Sequence, residues 1–210
     1  MNAIYRLDRP RGALFDAAGR RFDASARAWI DAVAPPAGEV VAPIEAVRWL
    51  QRESGAPLRI PVGVIGPREA TPAQMLAAEQ VGRGLARMGL MVVCGGRQGV
   101  MEAVCRGVAA DGGISIGMLP DADPSFANPH VSIVIATGIG EARNALIARA
   151  SLCLIAIGDS YGTLSEVALG RQFGKLVIGL QGAAQVDGVV HVDTVEPALE
   201  HVARCVFGPG

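Results

Sequence analysis

Residues 137–166 read TGIGEARNALIARASLCLIAIGDSYGTLSE. The order is a glycine loop at Gly138 and Gly140, a helix over Glu141–Ala150, and an apolar strand over Leu152–Ile157. A second glycine loop, Gly158–Gly162, then leads into a helix expected over Thr163–Phe173. Two helix N-termini therefore arise within one short stretch, each preceded by glycines. A helix N-terminus exposes unpaired N–H groups and a partial positive charge, which makes it a natural seat for phosphate.

The same pattern extends outward in both directions. Upstream, Pro61–Ile65 is a buried-strand run ending at Gly66, and Thr71-Pro-Ala-Gln74 has the form of a capping box that opens a helix running to about Met88. Leu90–Cys94 is the next strand, followed by Gly95-Gly96-Arg97-Gln98-Gly99 and a helix over Val100–Ala110. Strands follow at Ile114–Leu119 and Val131–Ala136, with a Pro- and Asp-rich loop between them. Downstream, Lys175–Leu180 and Gly188–Val192 read as strands, and Asp193–Val206 as a terminal helix. Alternating strands and helices with near-continuous apolar strands specify a parallel sheet covered on both faces. With right-handed crossovers this is an α/β, Rossmann-like doubly wound sheet, whose ligands bind at the carboxyl ends of the strands.

Residues 1–60 differ. Ala3–Leu7, Gly12–Phe15 and Arg20–Phe22, with the turn-forming Asp16-Ala-Ala-Gly19 between the last two, suggest a β-hairpin. Residues 24–33 suit a short helix, Pro35-Pro36-Ala-Gly38 breaks it, and Pro43–Glu53 reads as a helix burying Ile44, Val47, Trp49 and Leu50. The expected organisation is an N-terminal extension, residues 1–60, and a Rossmann-like domain, residues 61–210.

With half of its 210 residues apolar and 19% charged, the chain is built to bury a core. Its apolar runs are far shorter than a membrane span, and the N-terminus has no apolar stretch of signal-peptide type. A cytoplasmic protein is expected, with no membrane partner. A net charge of −1 gives no footprint for nucleic acid. Cys94, Cys105, Cys153 and Cys205 are widely spaced and match no zinc pattern, so they read as thiols in a reducing compartment and no metal site is expected.

Gly138-Ile-Gly140-Glu-Ala-Arg143 nearly matches the dinucleotide fingerprint, but Arg143 stands where a glycine must allow close helix–strand packing. An NAD(P) enzyme is disfavoured. Arg143, a cation at the start of a helix, opposes the helix dipole unless it helps hold an anion. In Gly158-Asp-Ser160-Tyr161-Gly162-Thr163-Leu-Ser-Glu166 the glycines admit a ligand and the hydroxyls can bond it. Glu166 has two readings. Thr163-x-x-Glu166 is capping-box spacing, and a carboxylate there can equally meet ribose hydroxyls or a developing oxocarbenium ion. Gly95, Gly96 and Gly99 with Val100 and Met101 form a third strand-to-helix loop of the same phosphate logic. Asp121 and Asp123 could sit beside the ligand or on a divalent ion but read first as a solvated loop pair, and no G-x-S-x-G elbow supports a Ser-His-Asp hydrolase.

Gly95-Gly96-x-x-Gly99-Val100-Met101, then Ser115-Ile-Gly117-Met-Leu-Pro120, Glu141-Ala-Arg143-Asn144 and Gly158-Asp-Ser-Tyr-Gly162-Thr163-x-x-Glu166 resemble, in that order, the LOG ("lonely guy") superfamily, once labelled lysine-decarboxylase-like. The resemblance covers roughly residues 60–180. LOG enzymes cleave nucleoside 5′-monophosphates to free base and ribose 5-phosphate. Their signature P-G-G-x-G-T-x-x-E would make Arg143 and Glu166 the catalytic pair and seat phosphate on Gly162 and Thr163. Here Gly158, Asp159 and Ser160 replace P-G-G, and the histidine and lysine flanking the LOG arginine are absent. G-E-A-R-N with Y-G-T-L-S-E looks closer to the branch of molybdenum cofactor carrier proteins, described as binding a phosphorylated pterin. The resemblance thus implies a ligand site at Gly66, Pro67, Arg68, Gly95, Gly96, Gly99, Val100, Met101, Asn144, Gly158, Ser160, Tyr161, Gly162 and Thr163. It implies no required cofactor, molybdenum cofactor or a nucleoside monophosphate as bound ligand, and a homo-oligomer, dimer or higher.

Overall fold

The computed structural model describes residues 5–32 and 38–208. They fall into two compact units, Met1–Leu58 with Glu200–Gly210, and Arg59–Leu199.

In the first unit, β1 (Tyr5–Asp8), β2 (Ala13–Phe15), β3 (Arg21–Asp23), β4 (Ala28–Ile30) and β5 (Glu39–Val41) form an antiparallel sheet ordered β4-β3-β2-β1-β5, followed by α1 (Pro43–Arg52). The β2–β3 turn is set by Asp16, whose carboxylate accepts from the Arg20 N–H at 2.8 Å. Proline opens α1, which buries Ala46, Val47, Trp49 and Leu50, while Ile44 is half-buried. The helix expected over 24–33 is a turn and a strand instead, residue 33 lying outside the described residues. Asp23 accepts from the N–H groups of Ser25 and Ala26, and Arg27 takes a left-handed φ of 55°, which reverses the chain. Trp29 is then held by a ring stack on Tyr5, an edge contact with Phe22, and a bond from its Nε1 to the Phe207 carbonyl. That aromatic cluster outweighs the helical propensity of an Ala-rich segment. Ala3 and the Pro35-Pro36 breaker also lie outside the described residues.

The second unit alternates β6 (Val62–Ile65), α2 (Pro72–Met88), β7 (Val92–Cys94), α3 (Val100–Ala110), β8 (Ser115–Leu119), β9 (Ile133–Ala136), α4 (Asn144–Ala150), β10 (Leu154–Ile157), α5 (Tyr161–Gln172), β11 (Val177–Leu180) and β12 (Val190–His191); α6 (Val195–Val206) is the last helix. All seven strands are parallel, ordered β12-β11-β10-β6-β7-β8-β9. This is the Rossmann-like doubly wound sheet. The chain builds outward from β6 to β9, then returns to the other side of β6 for β10. The topological switch therefore lies between β6 and β10, where Ala156 pairs with Ile65.

The core explains the apolar runs. Ile65, Val93, Leu154 and Ala156 pack with Ile147 and Ala148 of α4 and Val167 of α5. The alternate residues Val64, Val92 and Ile155 are also fully buried, so these strands are covered on both faces. Each fully buried Leu or Ile contributes about 1.5–3 kcal/mol. α2 starts at the expected capping box, with Thr71 Oγ1 accepting from the Gln74 N–H at 3.2 Å and Gln74 Oε1 from the Thr71 N–H at 2.9 Å. Gly82 and Gly107 let α2 and α3 approach backbone to backbone, since a Cβ at either would lie within 2.3 Å of a carbonyl oxygen of the other helix. β9 departs from the buried-strand reading. It is an edge strand on which Ile133, Val134 and Ile135 are all exposed. Among the described residues, no helix is long and apolar enough to cross a membrane.

Candidate functional site

At the switch point the carboxyl ends of β6, β7 and β10 open into a cavity of about 750 Å³. Four chain segments line it. Ile65–Glu69 follows β6. Gly95 and Met101 come from the β7–α3 connection. Glu141, Arg143 and Asn144 lie on the approach to α4, and Asp159–Thr163, Ser165 and Glu166 belong to the β10–α5 connection.

The floor is charged and buried. Arg143 ends a 3-10 turn, Gly140–Arg143, that leads directly into α4, and it is only 7% exposed. Its Nη1 lies 3.3 Å from Glu166 Oε1 and donates to the Asn144 side-chain oxygen. Asn144 Nδ2 in turn donates to Ser165 Oγ at 2.9 Å. The Arg143 Nε, also buried, has no hydrogen-bond partner among the described residues. Gly95 lies against this guanidinium; a Cβ there would stand 2.7 Å from Arg143 Nη2 and 2.6 Å from Met101 Sδ. Burial pushes the Glu166 carboxyl up to about 7, with Arg143 pulling the other way and Glu141 adding to the rise. Near neutral pH the floor therefore holds a guanidinium beside a carboxyl poised between its two protonation states.

The wall is the N-terminus of α5. The expected helix start at Thr163 is two residues late. Tyr161 is the first helical residue, and Ser160 is the cap, its Oγ accepting from the Thr163 N–H at 3.1 Å. The first intrahelical bond is from Leu164 N–H to the Ser160 carbonyl. The N–H groups of Tyr161 and Gly162 come before it and so have no partner within the helix. Glu166 sits further along, its carboxylate turned to Arg143, so the capping-box reading of Thr163-x-x-Glu166 does not hold. Both spacings suit a cap, and Ser160 takes the position because the glycine-bearing loop ends there.

Of the residues singled out in the sequence, Gly66, Pro67, Arg68, Gly95, Met101, Arg143, Asn144, Ser160, Tyr161, Gly162, Thr163 and Glu166 converge on this cavity. Gly96, Gly99, Val100 and Gly158 are not on its wall. Gly99 packs against the carbonyls of Pro67 and Arg68, the Val100 N–H donates to the Pro67 carbonyl at 3.1 Å, and Gly158 packs on the Gln74 amide. These four shape the loops. The sequence reading missed Ile65, Glu69, Glu141, Asp159 and Ser165. Glu141 and Asp159 lay inside the motifs already quoted, and Ser165 adjoins Glu166 on α5. Asp121 and Asp123 are occupied elsewhere. Asp121 pairs with Arg97 at 3.1 Å, and Asp123 accepts from the Ser125 N–H, which holds its carboxyl below the usual range.

Comparison with known proteins places this geometry in company. The model of the SLOG cluster4 family matches residues 59–204. An uncharacterized protein of Archaeoglobus fulgidus is 36% identical over 140 residues, 67% of this chain and 92% of the relative. Among solved structures, the molybdenum cofactor binding protein of Rippkaea orientalis is 34% identical with a TM-score of 0.65, over 69% of this chain and 96% of that one. The molybdenum cofactor carrier protein of Chlamydomonas reinhardtii is 30% identical with a TM-score of 0.64, over 70% of this chain and 99% of that one.

Proposed function

The chain belongs to the SLOG cluster4 family, and on that footing we propose that the cavity at the switch point binds a phosphorylated pterin-like or nucleotide-like ligand, in the manner of a molybdenum cofactor carrier. The observation that carries the reading is the pairing of two features in one cavity. The α5 N-terminus offers the N–H groups of Tyr161 and Gly162, and the buried Arg143 beneath keeps an unpartnered Nε. Oriented N–H donors at a helix start favour an anion, and a buried guanidinium nitrogen without a partner gains a bond when a ligand oxygen reaches it. The relatives described as binding or carrying molybdenum cofactor are matched over nearly their whole length, which supports a phosphorylated pterin as cargo. The cavity volume of about 750 Å³ lies within the ordinary range for small-molecule sites. Thr163, Ser160 and Gly162 would hold the phosphate end.

Thermal unfolding of the full chain with a molybdopterin-type ligand tests this. A ligand at about 100 times its Kd adds about 2.7 kcal/mol of stability. No shift with such a ligand would overturn the carrier reading.

One observation favours a second reading, a nucleoside 5′-monophosphate phosphoribohydrolase. Glu166, on the cavity floor and pushed up to about 7, has the protonation behaviour of an acid–base group. In that mechanism Glu166 stabilises positive charge on the ribose or positions water, and Arg143 holds the phosphate or the departing base. Incubation with a panel of nucleoside monophosphates decides it. Free base and ribose 5-phosphate that disappear in Glu166→Gln would establish catalysis and sink the carrier-only reading.

A homo-oligomer belongs to either reading, because the β9 edge leaves Ile133, Val134 and Ile135 in water. Sedimentation showing a monomer at micromolar concentration would contradict that part.

A further inference from the structure

The ionisable lining of the cavity is not that of a pure anion trap. Arg68 and Arg143 face it, and so do Glu69, Glu141, Asp159 and Glu166. Arg143 is already engaged by Glu166 and Asn144. Glu69, Glu141, Asp159 and Arg68 are exposed, so the rim carries three carboxylates and one guanidinium. Carboxylates there accept hydrogen bonds from N–H groups and repel added negative charge. A ligand rich in phosphates fits this rim poorly, whereas a ring with an amino group and ring N–H groups fits it well.

Tyr161 is an independent feature of the same mouth. It is the first residue of the 12-residue helix α5 and is 95% exposed. Side chains on a helix lean toward its N-terminus, and Tyr161 at that end lines the cavity. Among the described residues no aromatic ring of the protein packs on it. The residue that opens α5, and with it the proposed phosphate seat, thus also carries an exposed aromatic face.

We propose that Tyr161 and the acidic rim determine specificity: the cavity takes a planar, amino-substituted heterocycle bearing a single phosphate, stacked on Tyr161 with its N–H edge toward Glu69, Glu141 and Asp159. This rests on the reading of the α5 N-terminus as the phosphate seat. Guanine-like and pterin-like rings share the required chemistry, a flat π-face with an adjacent amino group and ring N–H.

Calorimetric titration of the full chain with four probes tests it: ribose 5-phosphate, GMP, IMP and GTP. The wild type binds GMP more tightly than IMP, which lacks the exocyclic amino group, and more tightly than GTP. Tyr161→Ala weakens GMP about tenfold, as loss of a base–aromatic stack does, and leaves ribose 5-phosphate unchanged. Tyr161→Phe keeps the wild-type GMP affinity. The proposal is overturned if Tyr161→Ala leaves GMP unchanged, if it weakens ribose 5-phosphate equally, or if GTP binds as tightly as GMP. A wild type that binds ribose 5-phosphate but fails those comparisons sinks the specificity assignment alone. A wild type that binds none of the four sinks the phosphate seat and this proposal together.

Discussion

Two glycine-bearing strand-to-helix connections of this fold have different fates. The β7–α3 connection, Gly95-Gly96-Arg97-Gln98-Gly99, and the β10–α5 connection, Gly158-Asp159-Ser160, both end apolar parallel strands and open helices. In the first, the chain consumes its own polar groups. The Val100 N–H at the start of α3 donates to the Pro67 carbonyl, and Asn128 donates from its backbone and side chain to the carbonyls of Gly96 and Arg97. In the second, Ser160 caps only Thr163, and Tyr161 and Gly162, whose N–H groups have no partner within the helix, line the cavity. A glycine loop is a ligand site only where its donors are left over. On the proposed function, the β7–α3 loop mainly buttresses the cavity and the β10–α5 loop would bind.

The strongest way to break this contrast is Arg143→Ala. It removes the floor cation beneath the binding loop and strips buried Glu166 of its countercharge. The expected cost is about 3–5 kcal/mol of unfolding free energy, with ligand binding lost, read by denaturant titration and calorimetry. Retained affinity would mean that the cavity floor plays no part in binding.

Next comes pH. Burial pushes the folded Glu166 carboxyl up to about 7 from its ordinary 4.5, so its folded value is raised. The unfolded chain therefore gives up this proton first, and stability falls as pH rises from about 4.5 to about 7, then levels. The fall is at most on the order of 3 kcal/mol. Glu166→Gln flattens that window. A wild-type curve already flat there would show Glu166 to be solvated.

Ser160→Ala removes the α5 cap and costs about 1 kcal/mol, and it weakens a phosphorylated ligand because the helix start loosens. The smallest effect belongs to the other loop. Gln98→Ala, at an exposed site, stays within about 0.5 kcal/mol of wild type and leaves ligand affinity unchanged. Equal losses from Ser160→Ala and Gln98→Ala would erase the difference between the two loops.

Much of this was legible in the chain. Alternation of Val62–Ile65, Leu154–Ile157 and Val177–Leu180 with amphipathic segments is enough to specify the parallel sheet, because buried strands need apolar residues on both faces. Thr71 and Gln74 announced α2 locally. The failures share a non-local cause. Ala28–Ile30 is a strand because Trp29 meets its hairpin neighbour Phe22 and also Tyr5 and Phe207, which are remote in sequence. β9 is apolar in sequence yet exposed, since strand order, and not composition, put it at the edge. Glu166 could not be separated from a cap by spacing, and its partner Arg143 stands 23 residues away. Glu69, Glu141 and Asp159 come to one mouth only because the sheet topology brings their loops together.

The most direct test of the binding loop compares one pterin with and without its phosphate by calorimetric titration of the full chain. The phosphorylated compound should bind at least about tenfold more tightly, a difference of about 1.4 kcal/mol, and Arg143→Ala should abolish that advantage. Equal affinity for the two compounds would contradict the claim that α5 and Arg143 form a phosphate seat.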